Sequence, residues 1–243
     1  MRCPTLCVTR PRACSTSTTL LTAGGVEAAA AVCPPPTMTH ATSPGTNRPS
    51  TTFLSPSFAV IITFARDFDP VGTTEIGMLA KLKDEFEARD VKVVAIGVDS
   101  KSNHRKWIEE IQELQDCEVY FPIIADQNAE ISRVFGLVKP QMVNAKKNLR
   151  PATLTMVLDV DKRIRMMTQY PSSTGRNFYE TVRAVDTMQL HLYHQVVCPA
   201  NWANGEEVFV NPTLGSGAAA AMFPKGFNEM KSWYRPTVQP DAE

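Results

Sequence analysis

The chain has 243 residues, with 25 Lys and Arg balanced by 25 Asp and Glu, and a hydrophobic fraction of 43%. That length accommodates one full domain and an appendage. The zero net charge argues against a general nucleic-acid binder, which needs a basic surface, and no run of about 18 residues is apolar enough to predict a membrane-spanning helix.

Residues 1–56 do not read as a domain. They are rich in Thr, Ser, Pro and Ala, lack apolar periodicity and hold Glu27 as their one acid, a composition expected to be disordered. Arg2, Arg10 and Arg12 sit among hydroxyl residues, which fits a transit peptide for the mitochondrion or another organelle. A disordered tail on a cytoplasmic protein, and a misplaced gene start with Met38 as the true one, are the alternatives.

The pattern changes at Phe58. "FAVIITF" is a short, β-branched apolar run that predicts a buried strand. Residues 73–89 predict a helix with Thr73, Thr74 and Glu75 in its first turn, and with Ile76, Leu79, Ala80, Lys83 and Phe86 on one stripe. "VKVVAIGV" is a second strand. "SNHRKWIEEIQEL" is a helix with Ser102 as its cap. "YFPII" is a short strand, and "NAEISRVFGL" is a helix ending near Gly136. "ATLTMVLDVDKRIRMMTQY" predicts a hairpin turning at Asp159–Lys162, and residues 176–195 a last long helix. This order predicts an α/β layered domain over 57–195. The remainder, 196–243, holds five prolines and short segments and reads as a small C-terminal module.

Several strings together carry a family resemblance: "RDFDPVGTTE", "VKVVAIGVDS", "FPIIAD", "YPSSTGRNFYE" and "FPKG". From Phe58 to Pro240 the chain resembles a peroxiredoxin of the 1-Cys type with a long C-terminal arm. "YPSSTGRNF" is the most specific string, since no general physical rule demands it. Trp202, Gly205, Pro212 and Phe223–Gly226 match the small C-terminal domain of that type. The resemblance implies a thioredoxin-like α/β fold with that small domain and a dimer-forming arm. The family's initial hairpin, with its G-x-x-x-P-x-F pattern, is not visible before Phe58.

The resemblance also marks four replaced positions. Family members carry P-x-x-x-[TS]-x-x-C at the active loop and a distant strand arginine. In this chain the proline falls on Ala65, the Thr/Ser on Asp69, the cysteine on Gly72 and the arginine on Thr153. Peroxide reduction needs a sulfur nucleophile, and Gly72 has no side chain. Asp69 puts an acceptor-only carboxylate where a hydroxyl donor is expected, and Thr153 removes a fixed cation. Four coordinated changes within retained scaffold text imply an abandoned active site. The role expected is that of a catalytically inactive structural or interaction subunit, as a homodimer or within a larger assembly, with no cofactor. Two rivals stand beside it. One is a thiol-dependent antioxidant peroxidase using a displaced cysteine, and the other is a degraded gene product.

The remaining candidates read as plain structural residues. Of six cysteines, Cys3, Cys7, Cys14 and Cys33 lie in the N-terminal stretch, and none of the six makes a C-x-x-C pair. That is no disulfide framework and fits a reducing compartment. Cys117, between Asp116 and Glu118, is expected to have a raised pKa and to be structural. Cys198 is expected to be a small buried or interface residue. His191, His194 and Cys198 form an H-x-x-H-x-x-x-C series, read as a solvated helix end rather than a metal site because Pro199 stops the helix. Ser57 in "SPSFA" aligns with a lipase-like G-x-S-x-G site of some relatives, but both glycines are missing, so that activity is not expected. Tyr170, Pro171, Thr174, Gly175, Arg176, Asn177 and Phe178 are expected to be structural or interface residues, with Thr174 capping the following helix and Arg176 pairing with a nearby acid. "GSGAAAAMF" is either a flat face for a partner or a segment that has drifted.

Overall fold

The computed structural model describes Ala30–Ala31 and residues 57–138 and 150–240. A six-stranded sheet runs in the order β1-β4-β3-β2-β5-β6. Its strands are β1 (Ala30–Ala31), β2 (Phe58–Thr63), β3 (Val91–Gly97), β4 (Ile123–Ala125), β5 (Thr153–Leu158) and β6 (Ile164–Tyr170). The pairs β2–β3 and β3–β4 are parallel, and the other pairs are antiparallel. Parallel neighbours need crossovers. Helices α1 (Pro70–Lys81) and α2 (Lys83–Ala88) supply the first, and α3 (Lys101–Gln115) the second. A short α4 (Glu130–Val134) and the long α5 (Phe178–His194) follow.

Alternation along the strands sorts the core. Phe58, Val60 and Ile62 of β2 and Val91, Val93 and Ala95 of β3 join side chains of α1, α2, α3 and α5 in one buried cluster. Ala59, Met156 and Leu158 pack in a smaller one with Phe135. A three-stranded sheet of β7 (Val196–Val197), β8 (Val208–Val210) and β9 (Pro236–Thr237), with α6 (Ser216–Met222), encloses a third cluster around Trp202 and Phe223. Arg235 is buried there, and its guanidinium donates to the carbonyls of Asn211 and Leu214.

Several boundaries differ from the sequence reading. The helix expected from residue 73 starts at Pro70, because proline is pre-set for the first helical position and Asp69 caps it. It also divides at Leu82 into α1 and α2. The cap of α3 is Ser100 and not Ser102, its hydroxyl accepting from the Asn103 amide at 3.2 Å. The cap of α5 is Asn177 and not Thr174. The amide of Arg176 is bound to Glu75, which holds that residue outside the helix. Within the segment expected to lack order, Ala30–Ala31 pair with Ile123 and Ile124. The free edge of β4 decides that ladder, and local periodicity carries no signal for it. The other N-terminal expectations fall outside the described residues. Of the Ala-rich helix α6 only Ala219 is buried, so most of its small-residue surface is exposed. No helix among the described residues is long and apolar enough to cross a membrane.

Candidate functional site

The N-terminus of α1 is where the resemblance sets the family's reactive loop. Asp69 has extended backbone and its carboxylate accepts from the Gly72 amide at 2.9 Å. The Asp69 carbonyl accepts from both the amide and the hydroxyl of Thr73, each at 2.8 Å. A helix start leaves amides without partners and carries partial positive charge, so it is a natural seat for an anion. Here the anion is the chain's own Asp69.

Helix α3 pins this loop through two side chains on one face. The indole of Trp107 donates to the Thr73 hydroxyl at 3.0 Å. His104 Nδ1 lies 2.7 and 2.8 Å from the two carboxylate oxygens of Asp67. Both partners of the second pair are buried, and His104 Nε2 has no hydrogen-bond partner. Burial pushes the Asp67 carboxyl above its ordinary value; His104 pulls it down, and Asp99 adds to the rise. Between Asp67 and Asp69, Phe68 adopts φ 56°, a left-handed turn that costs a bulky residue roughly 1–2 kcal/mol. The turn lets neighbouring aspartates serve different partners, one the core histidine and the other the helix start.

A second clamp reaches the same helix from the far end of the domain. Arg176 donates from its backbone amide and Nε to Glu75 Oε1, both at 2.9 Å, and from Nη2 to Oε2 at 2.5 Å. Its Nη1 donates to the Leu154 carbonyl at 2.7 Å, which ties α1 to β5. Thr153, next to that carbonyl, is buried and stands opposite Tyr170 in the β5–β6 ladder. Pro171 starts a turn whose carbonyl accepts from the Thr174 amide at 3.0 Å. Gly175 lies beside α1, where a Cβ would make an ordinary contact with Val71 at 3.8 Å. Phe178 is buried beneath the Arg176 guanidinium, which lies 5.4 Å from its ring centre.

The fold thus gathers Asp69, Gly72, Thr153, Tyr170, Arg176 and Phe178 around the start of α1 and the neighbouring end of β5, with Ala65 half-buried in the loop before α1. The other singled-out residues lie elsewhere. Cys117 is partly buried, and burial is the main cause of its raised pKa; Lys81 opposes the rise and Asp116 adds to it. The rise expected from Asp116 and Glu118 therefore comes chiefly from burial. Cys198 is likewise raised by burial, with Arg183 opposing and Asp186 adding. His191 Nδ1 donates to the Val196 carbonyl at 2.9 Å, and α5 ends at His194. No group of three potential metal ligands occurs among the described residues. Ser57 is buried, and its carbonyl accepts from Lys162 at 3.0 Å.

Sequence reasoning missed the Asp67–His104 pair and the role of Glu75. A signal was present for the first, since His104, Trp107, Ile108 and Ile111 share one face of α3 and all are buried.

Comparisons with known proteins agree with this fold. The model of the AhpC/TSA family matches residues 35–167, and that of the C-terminal domain of 1-Cys peroxiredoxin matches residues 187–225. A 1-Cys peroxiredoxin of Dictyostelium discoideum is 39% identical over 188 residues, covering 77% of this chain and 76% of that protein. Peroxiredoxin-6 of Homo sapiens is 37% identical over 198 residues, covering 77% and 88%. A solved yeast mitochondrial 1-Cys peroxiredoxin has a TM-score of 0.69 and 35% identity, covering 76% of this chain and 88% of that one. With a thioredoxin-like α/β domain followed by the C-terminal domain of the 1-Cys type, the chain belongs to the AhpC/TSA family, the peroxiredoxins.

Proposed function

We propose that this protein is a catalytically inactive peroxiredoxin homologue that serves as a structural or interaction subunit. The observation that carries the reading is the hydrogen bond from the Gly72 amide to the Asp69 carboxylate at 2.9 Å. Where the family pattern puts a thiol, this helix start offers no nucleophile, and a carboxylate already occupies its anion seat. The two described thiols do not substitute readily, because burial raises both of them. The edge strand β6 is exposed at four of its seven residues and is open to pairing, which supports a homodimer or a larger assembly. An organellar location, the mitochondrion first, is proposed from the Arg- and hydroxyl-rich opening and from the likeness to the yeast mitochondrial protein.

The alternative is a thiol-dependent peroxidase working through a displaced cysteine. It is favoured by the names of the relatives, 1-Cys peroxiredoxin and Peroxiredoxin-6. Peroxide consumption by the purified protein with excess dithiol separates the two. Turnover above a no-protein control, abolished by Cys117→Ser or Cys198→Ser, establishes the alternative. Background turnover, together with a native mass above that of one chain, supports the first reading.

A further inference from the structure

Asn204 is the one asparagine of the sequence that is followed by glycine. Such a pair can react with itself, because glycine has no side chain to shield its amide nitrogen or to restrict the backbone beside it. The pair sits in an exposed turn, Ala203–Glu206, closed by the Glu206 amide donating to the Ala203 carbonyl at 3.1 Å. Gly205 has φ 96°, and a Cβ there would meet nothing within 4 Å. Both reacting groups are nevertheless tied to one side chain, Gln239, which follows β9. The Gly205 amide donates to Gln239 Oε1 at 2.6 Å. Gln239 Nε2 donates to Asn204 Oδ1 at 2.7 Å. The same turn supports the core of the C-terminal module, since the Trp202 indole donates to the Glu206 carbonyl at 3.2 Å.

We propose that Asn204 is a site of spontaneous conversion to aspartate and isoaspartate, and that Gln239 restrains the reaction. In it the Gly205 amide nitrogen gives up its proton to water and bonds to Asn204 Cγ. The Cγ–Nδ2 bond breaks, and Nδ2 takes a proton from water and leaves as ammonia. A second water opens the cyclic imide at either of its carbonyls, which gives aspartate or isoaspartate. Nothing is oxidised or reduced. Gln239 opposes the attack at both reacting groups. Its Oε1 presents lone pairs to the Gly205 nitrogen, so the anion that must form there meets repulsion in place of a hydrogen bond. Its Nε2 fixes the Asn204 side chain in one conformation, so bringing Cγ onto the nitrogen has to break that hold.

The experiment ages the full-length chain at neutral pH and physiological temperature. Each asparagine-containing peptide is followed by mass spectrometry, with the two product isomers separated by chromatography. In concentrated urea Asn204 is expected to convert faster than any other asparagine, and in the native wild type it is expected to convert much more slowly than in urea. In Gln239→Ala the native rate is expected to rise about tenfold, the worth of one to two hydrogen bonds read as a rate. Gln239→Met keeps the side-chain length, loses both polar atoms and is expected to behave the same way. Gln239 lies beyond the last strand, and circular dichroism checks that each variant is folded before ageing. The proposal is overturned if Asn204 does not lead the other asparagines in urea, or if native and urea rates are equal in the wild type. A rise below about twofold in both variants also overturns it, as does a fall, which would make Gln239 a promoter that polarises the Asn204 carbonyl. No peroxide or thiol enters the assay, so its outcome is independent of the function proposed above.

Discussion

Arg176 and Glu75, 101 residues apart, close a buried ion pair with three contacts between 2.5 and 2.9 Å. The pair fastens the loop before α5 onto the first turns of α1. Removing one partner strands the other charge in a dry environment, which typically costs about 3–5 kcal/mol. Glu75→Ala and Arg176→Ala are each expected to lose that much in urea unfolding. The double replacement is expected to cost clearly less than the sum, because no orphan charge remains. A loss below about 1 kcal/mol for Glu75→Ala would show that the pair is solvated in solution.

Restoring a thiol alone is expected to restore little peroxidase activity. A Cβ at Gly72 would meet Trp107 at 3.5 and 3.6 Å and Asp69 at 3.7 Å, ordinary contacts, so the first side-chain atom of a cysteine fits without displacing a neighbour. The obstacle is electrostatic. The helix start favours a thiolate by about 0.3–1 kcal/mol at exposed sites. A carboxylate at close range opposes it by about 1 kcal/mol even in water, and by more in a partly dry pocket. Gly72→Cys is therefore expected to react slowly with peroxide. The triple variant Gly72→Cys, Asp69→Thr, Thr153→Arg is expected to react much faster, and threonine remains a competent helix cap. Stopped-flow peroxide consumption compares them, and fast reaction of the single variant would reverse the electrostatic ranking.

The buried Asp67 makes stability depend on pH. Burial raises its carboxyl above the ordinary value of 3.8, against the pull of His104. The native state therefore holds this proton more tightly than the unfolded chain does. The resulting stability is complete below the ordinary value and is lost as pH rises through the raised one. Asp67→Asn removes this dependence, so its stability relative to wild type is expected to improve across the acidic range as pH rises above the ordinary carboxyl value of 3.8. Urea unfolding across that range measures the drift, and a drift of opposite sign would mean that the attraction of His104 outweighs burial.

Gly97 has no room for a side chain. A Cβ there would lie 2.4 and 2.6 Å from the Phe64 ring and 2.9 Å from His104. Phe64 is wedged against Trp107, with ring centres 5.0 Å apart, and His104 is held by Asp67, so neither can yield cheaply. Gly97→Ala is expected to destabilise by about 1–3 kcal/mol, as overpacking generally does. Thermal unfolding by circular dichroism is the check, and an unchanged midpoint would mean that the strand end relaxes.

The sequence by itself determined the layered order of the main domain, because the apolar runs "FAVIITF" and "VKVVAIGV" mark buried segments and the periodicity of the α3 stretch reports its buried face. It also determined the family, through strings such as "YPSSTGRNF", and the resemblance implies that Gly72 stands at the thiol position. The tertiary structure decided which polar groups meet. Asp69 was legible as a replaced position, but its work as the cap that holds the Gly72 amide appears only once Pro70 is seen to open the helix. Asp67 and His104 are 37 residues apart, and Glu75 and Arg176 are 101 apart. Thr174 reads as the cap in the sequence, and Asn177 takes that place because Glu75 claims the amide of Arg176. The physical reason is one of range. Burial periodicity is written residue by residue along the chain, whereas a buried charge takes its partner from whichever element the fold brings beside it.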